Sequence, residues 1–206
     1  MILIGQYDSI FVRRVGIAMH LYGMTYEHRP WSAFGDGDRL AVLNPVRRVP
    51  TLVLDDGEVL VESGAILDYL DETVGRDRAL IADSGERRRR HLLICALGSG
   101  LADKAVALIY ERVMHEAASA AWTERCRTQI GDVLDVLNAD CPPEYWFGAR
   151  VGHPDIMVAC ALRFLRDAHP GLFDAALWPA LAAHAARCEA LPAFQAVSQP
   201  FVPPKR

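Results

Sequence analysis

Thr51-Leu52-Val53-Leu54-Asp55-Asp56-Gly57-Glu58-Val59-Leu60-Val61-Glu62-Ser63-Gly64-Ala65-Ile66-Leu67-Asp68-Tyr69-Leu70 decides the fold class of this chain. Two short apolar runs rich in β-formers flank Asp55-Asp56-Gly57, which has the turn chemistry of a hairpin. At Ser63 the pattern changes: Ile66, Leu67, Tyr69 and Leu70 repeat with helical spacing, so a helix follows directly on the hairpin. Upstream, Ile2-Leu3-Ile4 suits a buried strand, and Phe11, Val15, Met19 and Tyr22 then mark a helix that ends at Gly23. Residues 26–29 read as a second strand. The order is strand, helix, strand, loop, hairpin, helix, which predicts a small mixed sheet covered by helices.

From about residue 85 the strand signals stop. Segments rich in Ala, Leu and Arg run over 86–116, 119–139, 154–168 and 176–190, broken by Cys141-Pro142-Pro143, His169-Pro170-Gly171 and Leu191-Pro192. The polar, glycine-punctuated stretch between residues 74 and 85 reads as the linker. The chain is thus expected to hold an α/β domain over residues 1–78 and an all-helical domain over 86–206. Its 206 residues suffice for two small domains that share an interface.

Composition narrows the classes further. With 51% hydrophobic and 23% charged residues, and no uninterrupted run of eighteen apolar residues, a membrane-spanning helix is not expected. Asp8 arrives before a secretory apolar core could form, so the expected location is the cytoplasm. A net charge of −4 argues against a nucleic-acid surface, and the run Arg87-Arg88-Arg89-Arg90 is expected on a salt-bridged helix face. The five cysteines are widely spaced and include no C-x-x-C pair, which fits reduced, buried thiols and gives no metal-ligand set.

Three stretches together resemble the glutathione S-transferase superfamily, in its bacterial-type cytosolic, serine- or cysteine-using form. They are Gly5-Gln6-Tyr7-Asp8-Ser9-Ile10-Phe11-Val12-Arg13-Arg14-Val15, Asn44-Pro45-Val46-Arg47-Arg48-Val49-Pro50-Thr51-Leu52, and Val61-Glu62-Ser63-Gly64-Ala65-Ile66-Leu67-Asp68-Tyr69-Leu70. Tyr145-Trp146-Phe147-Gly148, the stretch from Gly152 to Ala159, and Leu191-Pro192-Ala193-Phe194-Gln195 extend the likeness over the whole chain. The resemblance implies a thioredoxin-like N-terminal domain followed by an all-helical C-terminal domain, paired as a homodimer. It also implies glutathione as co-substrate, a small hydrophobic electrophile as second substrate, a role in detoxification, and no metal or tightly bound cofactor.

The chemistry such a protein needs is a thiolate. A cysteine thiol of pKa about 8.5 is only a few per cent ionised at neutral pH, and lowering it by about two units makes the thiolate the major form. Ser9 ends the first strand-to-helix turn, where its hydroxyl and the following N–H groups could face a sulfur; it could equally be an ordinary helix N-cap, and the two jobs are compatible. Tyr7 is the competing donor. The pattern Ser-x-Phe-Val-Arg-Arg-Val resembles the serine and cysteine classes, which favours Ser9 and leaves Tyr7 to packing or the pocket. Ile10 stands where many relatives have proline.

By the same resemblance Pro50 is cis and exposes the backbone of Val49 to the cysteinyl part of glutathione. Arg48 reaches the glycyl carboxylate. Arg47 stands where relatives often carry glycine. Ser63 and the adjacent N–H groups hold the γ-glutamyl carboxylate, and Glu62 pairs with its ammonium. Gly152 and Asp155 resemble a helix-capping box in which glycine replaces Ser or Thr, so Asp155 reads as structural. Tyr110 and Met114, four residues apart on a helix, are expected to line the electrophile pocket, although such a pair can also be plain core. Conjugation is the leading reading. Isomerisation, dehalogenation, peroxide reduction and a non-catalytic binding role on the same scaffold remain open.

Overall fold

The computed structural model describes residues 1–204. Among them lie four strands and eight helices: β1 (Ile2–Ile4), α1 (Ile10–Tyr22), β2 (Glu27–Arg29), α2 (Gly37–Leu43), β3 (Thr51–Val53), β4 (Val59–Val61), α3 (Ser63–Val74), α4 (Gly85–Met114), α5 (Ala120–Asp140), α6 (His153–Ala168), α7 (Pro179–Glu189) and α8 (Pro192–Ala196). The sheet order is β2-β1-β3-β4; β1 runs parallel to β2 and antiparallel to β3, and β3 and β4 form the hairpin. This is a thioredoxin-like domain followed by a helical one. The sequence reading of the loop before β3 missed α2. That helix is short, starts at a glycine and buries only Leu40, so it carries almost no periodic signal.

Burial explains the layering. Leu3, Ile4 and Leu52, on the two central strands, are sealed from solvent, while β4 at the edge is half-exposed. Nearly every residue of α6 is buried, and it packs against both α4 and α1, which makes it the shared core of the two halves. Among the described residues α4 is the one helix long and apolar enough to cross a membrane by length and composition. Asp103 and Lys104 interrupt its apolar run, and the helix packs on α5 and α6.

Two polar anchors tie the halves together. Asp71 of α3 accepts from Tyr22 Oη, from the Leu80 N–H at 3.1 Å and from His153 Nε2 at 3.0 Å, which joins α1, α3, the linker and α6. Arg13 of α1 is buried and forks onto Glu189 of α7 at 2.6 and 2.8 Å, while its Nε donates to the carbonyl of Val197. Such a buried, bidentate pair fixes the C-terminal segment against α1.

The arginine run has local partners. Arg87 donates to the Phe147 carbonyl, Arg88 to that of Ala82 at 3.1 Å, and Arg90 pairs with Asp140. Asp155 is wholly buried at the start of α6 and accepts from the N–H groups of Trp146, Phe147 and Gly152. Glycine is required at 152 because a Cβ there would stand 2.5 Å from the Phe147 ring and 2.8 Å from the Leu80 carbonyl oxygen. The box therefore gives up its Ser or Thr hydroxyl to admit Phe147.

Candidate active site

Three loops of the sheet domain converge on a cleft that α4 helps to line. The first joins β1 to α1. Gly5 has φ of 131°, and a Cβ on it would lie 2.4 Å from Val12 and 2.8 Å from Val49, so only glycine lets the loop before β3 come this close. Ser9 occupies the N-cap position of α1. Its carbonyl accepts from the Arg13 N–H at 2.9 Å, but its hydroxyl makes no capping bond, and the residue lines the cleft beside the positive end of the helix dipole.

The second loop leads into β3. Asn44 is buried and braces it: Oδ1 accepts from the Val46 N–H at 3.0 Å, and Nδ2 donates to the Arg48 carbonyl at 2.9 Å and to Thr51 Oγ1 at 3.2 Å. The Val49–Pro50 peptide is cis. Arg47 has φ of 55°, the left-handed region that favours glycine, and its guanidinium pairs with Asp38 at 3.0 Å. The loop thus keeps its shape without glycine.

The third loop opens α3. Glu62 has φ of 73° and caps the helix with its own side chain, accepting from the N–H groups of Gly64 at 2.9 Å and Ala65 at 3.3 Å and from the hydroxyl of the buried Ser63 at 3.2 Å. The Glu62 carboxylate thus takes up the donors that the resemblance assigns to a ligand carboxylate. Behind it lies Arg14, buried, with Nη1 on the Met157 sulfur at 2.9 Å.

Two cavities abut along Phe11 and Val49. The first, of about 370 Å³, is lined by Arg48, Val49, Pro50, Glu62 and Ser63 together with Asn44 and, from α4, Ser99 and Asp103. The second, of about 130 Å³, is walled by Trp31, Phe34, Ile109, Tyr110, Phe164 and Phe201, with Gln6, Asp8, Ser9 and Ser32 as its polar atoms. Phe34 meets Tyr110 edge to face at 5.6 Å, and Phe201 meets Phe164 in the same way at 5.1 Å. Phe201, Val202 and Pro204 form one wall, in a segment anchored where Tyr7 N–H donates to Gln199 at 3.1 Å and Val202 N–H to Asp8 at 3.2 Å. Burial raises the pKa of Asp8, against hydrogen bonds from the backbone N–H groups of Val202, Asp8 and Ser9 that lower it.

Tyr7 and Met114 lie elsewhere. The Tyr7 hydroxyl is 2.8 Å from that of Tyr26, its ring stacks on His28 at 3.9 Å, and burial raises its pKa. Met114 is the exposed last residue of α4, outside the walls of the aromatic cavity that Tyr110 lines. Neither cavity is lined by a cysteine. The sequence reading did not find Asp8, Trp31, Phe34, Phe164, Phe201 or Asn44 as site residues. Asn44 could have been found, since an Asn before Pro commonly braces its own turn; the others give no local signal.

The chain belongs to the glutathione S-transferase superfamily: the pattern of the glutathione S-transferase N-terminal domain matches residues 3–78, and that of the C-terminal domain matches residues 120–187. It is 30% identical over 173 residues to the uncharacterized GST-like protein YibF of Escherichia coli K12, covering 82% of this chain and 85% of that one. It is 29% identical over 178 residues to the maleylacetoacetate isomerase of Mus musculus, covering 82% of each. Among solved structures, a glutathione transferase family member from Pseudomonas fluorescens Pf-5 with bound glutathione superposes with a TM-score of 0.84 at 31% identity, covering 97% of this chain and 99% of that one.

Proposed function

We propose that this chain is a glutathione-dependent transferase, with glutathione held by residues 1–78 and a small hydrophobic electrophile selected largely by residues 86–206. The observation that carries the reading is the position of Ser9: a residue at a helix N-terminus whose hydroxyl makes no capping bond, lining the aromatic cavity beside the Val49 wall that both cavities share. The Pseudomonas fluorescens relative with bound glutathione supports the assignment of the polar cavity to that tripeptide.

In this reading the γ-glutamyl carboxylate takes the place of the Glu62 carboxylate at the α3 N-terminus, bound by Ser63 and the N–H groups of Gly64 and Ala65, and Glu62 turns to the ammonium. Val49 pairs with the cysteinyl backbone, and Arg48 meets the glycyl carboxylate. Ser9 donates to the sulfur and stabilises the thiolate. The thiol proton leaves to solvent, the sulfur forms a C–S bond at the electrophilic carbon, and that carbon releases its leaving group with the electron pair. Ser9 is preferred to Tyr7 because the Tyr7 hydroxyl is engaged with Tyr26. We also propose a homodimer, on the strength of Leu92 and Leu93, which stand half-exposed on α4.

Kinship with maleylacetoacetate isomerase favours a second reading, in which the same thiolate serves an isomerisation. The two separate in one experiment. Wild type and Ser9→Ala are assayed with glutathione for conjugation of 1-chloro-2,4-dinitrobenzene and for isomerisation of maleylacetoacetate. Conjugation that depends on Ser9 supports the transferase; isomerisation without conjugation overturns it.

A further inference from the structure

Among the described residues, the lining of the aromatic cavity holds one carboxylate and no cation. Asp8 is half-buried in its wall, one residue from Ser9, and no Arg, Lys or His is among the described residues that line the cavity. Arg29 and Arg39 stand against the Trp31 ring at 6.0 Å, and each is paired, with Glu27 and Asp36. The adjoining crevice holds Arg13 and Arg163, but each is already engaged, Arg13 with Glu189 and Arg163 with Asp167 at 2.6 Å. Asp8 is also held in place: Val202 N–H donates to its Oδ2 at 3.2 Å, and next to it the Tyr7 N–H is held by Gln199. The charge therefore stands at the mouth of the position where a thiolate and an electrophile would meet.

We propose that Asp8 is a specificity-determining residue that excludes anionic electrophiles, so that the second substrate is an uncharged aromatic molecule and its carboxylated analogues are rejected. The proposal rests on the transferase reading and deepens it. Six aromatic rings line the cavity and supply dispersion and edge-to-face contacts to a flat apolar molecule. A carboxylate on that molecule would enter a partly desolvated space with a like charge close by and no cation among the described residues that line it. Repulsion of two charges a few Å apart, discounted for the solvent that reaches Asp8, corresponds to discrimination on the order of tenfold.

The test compares two chloronitroarenes that react by the same displacement, neutral 1-chloro-2,4-dinitrobenzene and anionic 4-chloro-3,5-dinitrobenzoate. In each the thiolate forms a C–S bond at the ring carbon that loses chloride. With glutathione saturating and the spontaneous rate subtracted, kcat/KM is measured for both in wild type and in Asp8→Asn, which keeps an acceptor for the Val202 N–H. The expected result is a preference for the neutral ring that shrinks about tenfold in Asp8→Asn. A role of Asp8 confined to anchoring residues 197–204 would change both rates together and leave the ratio alone; an unchanged ratio overturns the proposal. Should Asp8→Asn fold poorly, salt provides the same readout in wild type. Raising KCl from about 0.05 to about 0.5 M should narrow the preference, and a preference insensitive to salt counts against it. Turnover of neither compound contradicts the transferase reading itself and takes this inference with it.

Discussion

The polar cavity is built mainly from two short contiguous stretches, residues 44–50 and 61–63, whereas the aromatic cavity gathers Trp31, Phe34, Tyr110, Phe164 and Phe201 from four separate places in the chain. In the proposed reading the recognising groups on the polar side are largely backbone: the peptide before Pro50 and the N–H groups that open α3. On the aromatic side they are side chains. Backbone recognition depends on loop shape, which a few residue types such as Asn44, Pro50 and Ser63 can specify within a short motif. Side-chain recognition depends on how helices pack, and any apolar residue at the right place serves. One half of the cleft can thus be retained while the other changes, which is the arrangement expected of a protein that holds one common substrate and varies the second.

Substitutions at the junction and on each side should behave differently. The largest effect is expected at the shared point: Ser9→Ala should lower kcat/KM for conjugation by about 10²–10³-fold, the loss typical of one oxyanion-type donor, with the glutathione KM nearly unchanged. A loss confined to KM would mean that Ser9 belongs to the polar cavity alone.

The helical half rests on a buried polar core whose stability is pH-dependent. His184 is fully buried and burial lowers its pKa to about 4, so below pH 6.5 the unfolded chain binds a proton that the folded chain refuses. Its stabilising contribution is complete above pH 6.5 and is lost as the pH falls towards 4, on the order of 3 kcal/mol. Asp155, 3.8 Å away, has its pKa raised to about 6 by burial, and so adds stability in the opposite sense as the pH falls below 6. Urea unfolding at pH 7 and pH 5 should therefore show His184→Gln losing less stability on acidification than wild type. An identical loss in both would remove His184 from the account.

Smaller effects should separate the two cavities. Ser63→Ala should weaken glutathione binding about tenfold by calorimetry, the worth of a hydrogen bond to a charged group, and leave the electrophile KM alone. Tyr110→Ala or Phe34→Ala should do the reverse, raising the electrophile KM roughly two- to tenfold at constant glutathione affinity. Crossed effects would show that the cavities are not independent.

The same contrast explains what the sequence disclosed. The hairpin around Asp55-Asp56-Gly57, α1, α3 and the long helices were legible because hydrophobic period and turn chemistry coincide there. The segment that became α2 was not, with one buried residue in seven. Ser9, the Val49–Pro50 step and Ser63 could be singled out because each sits in a short motif. The self-cap of Glu62 could not: its carboxylate folds back onto its own helix from a residue with φ of 73°, a conformation that no residue type announces. Asp8 and Phe201 were invisible for a further reason, since they meet only when residues 197–204 return across the cleft to the loop before α1, a contact spanning 194 positions.

The account depends most on a thiol made acidic by Ser9. Glutathione bound to wild type and to Ser9→Ala should be titrated by thiolate absorbance against pH, with the free tripeptide as reference. The prediction is a bound thiol pKa of about 6–7 in wild type, returning towards about 8.5 in Ser9→Ala. Binding with an unshifted pKa, or a shift that survives in Ser9→Ala, would contradict it.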